Sequence, residues 1–151
     1  MLYPKMPYLL TFAVTLALSL ALSLGAAQAP LELGAFHARV VMGGIEYSDN
    51  LLALEGERVE LTGFMAPPLK PRIDWFMLTR FPMLTCPFCS DAADWPPDVV
   101  LVVLEDGRRM DAQHNSDPLR IVGRLELGVD SSVEAGLSLI RIYAERVERV
   151  R

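Results

Sequence analysis

The chain has 151 residues, 52% of them hydrophobic, and a formal net charge of −5. That length supports one core of ordinary size and leaves too little for two comfortable domains. Its basic residues are interleaved with acids, as in 141–151, so no cationic stripe is available to follow a phosphate backbone, which argues against nucleic acid as a partner.

The first element is a targeting signal. Lys5 and the α-amine precede an uncharged apolar run, residues 9–24, which is followed by Gly25-Ala26-Ala27-Gln28-Ala29-Pro30. A positive end, an apolar stretch and small residues at the cleavage point form a signal peptide. Cleavage after Ala27 fits best, because cleavage after Ala29 would leave Pro30, with its locked φ, at the first mature position. The alternative is an uncleaved anchor over residues 9–24, although that run is short against the roughly 20 residues a bilayer core requires. Either way the protein is expected outside the cytoplasm, in the periplasm or cell envelope. The expected organisation is a signal or anchor at 1–27, a lead-in segment at 28–47 and a β domain at 48–151.

In the lead-in segment, residues 36–42 are apolar and Gly43-Gly44 interrupts them, which predicts a short strand or an extended approach. Ser48 is placed to cap a short helix over 49–54, and Gly56 to end it. From Gly56 the period changes to two, with Val59, Leu61 and Gly63 alternating against Arg58, Glu60 and Thr62, the pattern of a half-buried strand. The proline-rich stretch 66–71 lacks the donors of a regular ladder and predicts a loop. A second strand follows over 73–80, with Trp75, Met77 and Thr79 on one face and Phe76 and Leu78 on the other.

Residues 81–98 form a long loop that carries both cysteines. The unbroken apolar run 99–104 predicts a strand buried on both faces. Residues 108–117 are polar and carry no clear period. Residues 119–127 alternate around Gly123, and 137–150 predict a long last strand with Ile140, Ile142, Ala144 and Val147 toward a core. Five strands, with Gly63 and Gly123 where coiled strands must bend, predict a mainly β domain. The expected form is a small five-stranded OB-like barrel with one short N-terminal helix, the alternative being an open β-sandwich.

Cys86-Pro87-Phe88-Cys89 is the one spacing with inherent chemistry, since two intervening residues let both sulfurs reach each other or one metal. Three readings follow. An oxidising compartment favours a local disulfide, whose small ring would remove only about 2 kcal/mol of unfolded-chain entropy and so would shape its loop more than stabilise the fold. Metal binding needs further ligands: His114, His37 or Asp91 would complete a zinc set, and Met83 or Met65 a set for monovalent copper. Methionines are more often core filler, and His114 beside Asn115 and Ser116 has the character of a solvated loop residue. Thiol redox chemistry is the third reading, but Trp95-Pro96-Pro97 stops any long helix after Cys89 and no βαβ pattern surrounds the motif, which argues against a thioredoxin site.

Taken together, Gly56-x-x-Val59-x-Leu61-x-Gly63-Phe64, the strand ending Met77-Leu78-Thr79-Arg80, Thr85-Cys86 with Cys89-Ser90-Asp91-Ala92, and Val122-Gly123-x-Leu125 resemble an uncharacterised bacterial family. It is the extracytoplasmic domain of a small membrane-associated subunit proposed to act beside a multispan permease. A second exported family of unknown function has a similar layout. The resemblance covers residues 50–150 and implies an OB-like domain, export and a transport partner, with no catalytic residues to carry over. Pro87 and Phe88 separate two cysteines that are adjacent in that family.

With no acid, base and nucleophile set in view, the expected function is a non-enzymatic envelope binding or accessory module, linked to a transporter or to metal handling through the Cys86 to Cys89 loop. The alternatives are a thiol-disulfide oxidoreductase and a structural or interaction domain whose aromatic residues, Trp75, Phe81, Phe88 and Trp95, surround a local disulfide.

Overall fold

The computed structural model describes residues 31–84, 98–112, 117–131 and 138–150. It is mainly β, as the alternation predicts. The five expected strands are β4 (Arg58–Met65), β6 (Trp75–Thr79), β7 (Val100–Leu104), β9 (Leu119–Asp130) and β10 (Ser138–Arg149). They pair in the order β4-β6-β7-β10-β9, and a further β4–β9 ladder closes the hydrogen bonding into a ring. β7 and β10 run parallel, whereas the other pairs in the ring are antiparallel.

The period of two in the sequence becomes an inside and an outside. Val59, Leu61 and Met65 of β4, Leu119, Ile121 and Leu125 of β9, and Ile140, Ile142 and Ala144 of β10 are buried in one core. Each fully buried Leu or Ile contributes about 1.5–3 kcal/mol by leaving water. β7 is buried on both faces, as its unbroken apolar run requires: Val100, Val102 and Leu104 enter the main core, and Leu101 packs outside with Met77 and Ala66.

Gly63 and Gly123 are required by close approach. A Cβ on Gly123 would meet the Tyr143 carbonyl carbon at 2.8 Å and Ala144 Cα at 2.9 Å, and one on Gly63 would meet Leu33 Cδ1 at 2.6 Å and the Thr79 carbonyl oxygen at 2.8 Å. Opposite Gly123 the β9–β10 register shifts between Ala144 and Arg146. Such a bulge sharpens the bend of a strand and removes carbonyls from the ladder. Arg108 takes up the released groups, donating from Nη1 to Glu145 O at 2.9 Å and from Nη2 to Ala144 O.

The lead-in segment is more structured than a simple approach. β1 (Leu31–Glu32) runs parallel to β4, and a 3-10 turn at Leu33–Ala35 sends Leu33 and Phe36 into the core. β2 (Ala38–Val41) and β3 (Gly44–Tyr47) form a hairpin whose two-residue turn is Met42-Gly43, with Gly44 opening β3 opposite Val41. A helix follows, α1 (Asp49–Leu52), which buries Leu51. α1 stops at Leu52 with Ala53 as its C-cap, short of the expected 49–54, so Gly56, at φ 78°, lies in the turns that follow and does not end the helix. Ser48 precedes α1 but does not cap it with its side chain. Its hydroxyl donates instead to Ala35 O at 3.1 Å and ties the helix to the 3-10 turn.

The stretch 73–80 is interrupted at Asp74, giving β5 (Arg72–Ile73) before β6. Within the polar stretch 108–117, β8 (Met110–Asp111) pairs with β5. Among the described residues, no helix is long and apolar enough to cross a membrane.

Candidate functional site

A cleft of about 420 Å³ opens beneath the proline-rich loop, lined entirely by residues between Ala66 and Met77. The local sequence explains why an opening persists there. Pro67, Pro68 and Pro71 have no amide hydrogen and a fixed φ, so the chain leaving β4 cannot fold flat onto β6 as a ladder. The base of the loop is closed by the Ala66 amide donating to Met77 O at 2.9 Å, next to the Met65↔Leu78 pair. Its far side is held by the β5–β8 pairing, by the Ala112 amide on Pro71 O and by the Leu104 amide on Asp74 O, both at 2.8 Å. A loop pinned at both ends and stiffened by proline is pre-organised, which lowers the entropy cost of ordering it around a ligand.

The walls are apolar. Trp75 and Met77 line the cleft, Met77 being buried in the small outer cluster against which Trp75 packs. Pro67, Pro68 and Leu69 line it as well, and Leu69 remains 55% exposed. Charge is confined to Lys70, Arg72 and Asp74, all exposed. Asp74 Oδ2 lies 3.9 Å from Arg109 Nε. The volume falls within the range of small-molecule sites, and apolar walls with a few polar groups at the mouth are their usual composition.

A second feature lies on the outer face of the sheet. Arg141, only 3% exposed, stands opposite Glu126 on β9 and Leu101 on β7. Its Nη1 donates to Gly128 O at 2.8 Å and Ser138 Oγ at 3.2 Å, and its Nη2 to Glu126 Oε1 at 3.3 Å. Nε lies 3.6 Å from Asp130 Oδ2 without a hydrogen bond. The nearby Tyr47 hydroxyl donates to Leu139 O at 3.2 Å. Burial raises the Tyr47 pKa, opposed by a hydrogen bond with the Gly128 backbone and by the Arg141 charge. With its donors turned onto carbonyls and acids of its own strand pair, Arg141 fastens β9 to β10. It is a structural cation.

The residues singled out from sequence separate into two groups. Cys86, Cys89 and His114 lie outside the described residues, as do Asp91, Phe88 and Trp95. Of the remaining metal-ligand candidates, His37 is exposed beside β2, Met65 fills the core, and Met83 packs against the outer cluster. Among the described residues, no three or more His, Cys, Asp or Glu side chains come together as a metal site. Of the aromatic set, Phe81 is exposed with Arg80 over its ring, and Trp75 is half-buried. The cleft was missed from sequence, although Pro67-Pro68, Pro71 and Trp75 within one short inter-strand stretch are its trace.

Neither a protein family nor a curated protein matches this sequence. Among solved structures, the chain is similar to a DUF3299 family protein from Pseudomonas aeruginosa PAO1, at 20% identity and a TM-score of 0.44. The match covers 66% of this chain and 64% of that one, a little under two thirds of the neighbour's length.

Proposed function

We propose that this protein is an exported, non-catalytic binding module of the cell envelope that holds a small molecule in the cleft beneath the proline loop. The observation that carries the proposal is the cleft itself: a pre-organised opening whose lining is mostly apolar, with Lys70, Arg72 and Asp74, all exposed, as its charged residues. Export rests on the apolar run 9–24 and the small residues after it. In the same proposal, the ring order with parallel β7 and β10 is an OB-like closure. The resemblance in sequence adds a transport partner, to which a bound ligand would be presented. Cys86 and Cys89 form a local disulfide that shapes their loop, as the compartment favours.

Native mass spectrometry of the full chain recovered from its own envelope tests the proposal. The expected result is a mature chain that starts near Gln28, with one small non-covalent adduct that is lost when Leu69→Asp places a charge on the cleft wall. Recovery from the cytoplasmic fraction, or an adduct unaffected by Leu69→Asp, would overturn it.

A further inference from the structure

The charges around the cleft are already balanced within the protein. Its charged lining residues are Lys70, Arg72 and Asp74. Asp74 is opposed by Arg109 at 3.9 Å, Arg72 stands opposite Asp111 in the β5–β8 ladder, and Lys70 has an interaction partner of its own. Opposite charges facing each other across a strand pair attract, so none of the three is a lone countercharge for an ion. An anion or a cation entering the opening would give up water without gaining an unopposed partner, and burying a charge on those terms is unfavourable.

The covalent make-up of the loop adds a polarity. Residues 66–71 read Ala-Pro-Pro-Leu-Lys-Pro and carry six carbonyls but only three amide hydrogens, because each of the three prolines lacks one. The Ala66 hydrogen is spent on Met77 O. At most two donors, the amides of Leu69 and Lys70, remain on a stretch with twice as many carbonyls as amide hydrogens. The rest of the lining includes the apolar side chains of Ile73, Trp75, Phe76 and Met77.

We infer that the cleft takes an uncharged small molecule with an apolar body and one hydrogen-bond donor, a hydroxyl or an amide N–H, directed at the carbonyl-rich loop. This inference rests on the cleft being a ligand site, and its test separates the two claims.

The test uses four probes of similar size, octanol, hexyl methyl ketone, octanoate and octylammonium, titrated into the full exported protein. Binding is followed by calorimetry and by Trp75 emission in a Trp95→Phe background. Octanol is expected to bind tightest, about fivefold tighter than the ketone, which offers an acceptor but no donor, and about tenfold or more tighter than either ion. Asp111 and Arg109 are exposed and do not line the opening, so removing either charge should relax the exclusion of one sign of ion only. Asp111→Asn should strengthen octanoate and Arg109→Gln octylammonium, each by about two- to fivefold at low salt, with octanol unchanged. An ion that binds as tightly as octanol, a ketone that matches it, or ion affinities that respond to neither variant would overturn the assignment and leave the cleft standing as a ligand site. No binding by any probe would overturn both.

Discussion

Gly123→Ala is the sharpest test of the ring. The new methyl would fall on the Tyr143 carbonyl, whose carbon is 2.8 Å away, and 2.9 Å from Ala144 Cα. Both are backbone atoms, so no rotamer change can relieve the contact. β9 and β10 must instead move apart by several tenths of an ångström at the point where Gly123 pairs with Ala144 and Arg108 holds the bulge. Overpacking of this kind costs about 1–3 kcal/mol, and two or three weakened hydrogen bonds at about 1 kcal/mol each add to it. The sum is a loss of about 3–6 kcal/mol, a large part of the stability of a domain this size. Gly63→Ala, where two of the three nearest atoms belong to side chains, should cost less, about 1–3 kcal/mol. Urea unfolding followed by far-UV circular dichroism measures both, with the midpoint shifted and the slope unchanged. A loss below about 1 kcal/mol for Gly123→Ala would mean that β9 and β10 do not approach as described.

Arg141→Met should lose about 2–3 kcal/mol, below the usual cost of breaking a buried pair because Glu126 and Asp130 are partly exposed and can be rehydrated. Arg141→Lys should recover only part of that, since an ammonium cannot serve Gly128 O, Ser138 and Glu126 together; full recovery in denaturant titration would contradict the bonding described. The raised Tyr47 pKa makes the neutral phenol the form that the fold favours. Its stabilising contribution is complete below the unfolded value of about 10 and is lost as pH rises through the higher folded value. Unfolding titrations from pH 8 upward should therefore show a steeper alkaline decline in the parent than in Tyr47→Phe, and identical slopes would refute the linkage. Protein taken from its envelope should show no thiol that labels before reduction, and Cys86→Ser with Cys89→Ser should cost no more than about 2 kcal/mol.

The ring was legible because each strand carries a period of two or an unbroken apolar run, and because Gly63 and Gly123 mark places where no side chain fits. The hairpin β2–β3 was less so: Val40, Val41 and Met42 are apolar yet exposed, which an approach based on burial reads as a single segment. Ser48 carried the signature of a cap, but a tertiary partner, Ala35 O, took its hydroxyl. Arg141 sits out of phase with Ile140 and Ile142, so its strand reads as apolar inside and charged outside. Nothing local shows that its outer neighbours Leu101 and Glu126 come from distant parts of the chain. The cleft was hidden for a related reason, since Pro67, Pro68 and Pro71 announce only that a ladder stops. What opens the space is the pinning of the loop by Asp74, Pro71 and β8, which is a product of the assembled fold.

The cleft as a ligand site is tested most directly by amide chemical-shift mapping of the exported protein during titration with octanol, an uncharged probe with an apolar chain. The account predicts saturable shifts concentrated on residues 66–77, above all at Leu69, Arg72 and Trp75, and their loss in Leu69→Asp. Shifts that scatter over the surface without saturating, or that gather away from the proline loop, would contradict it.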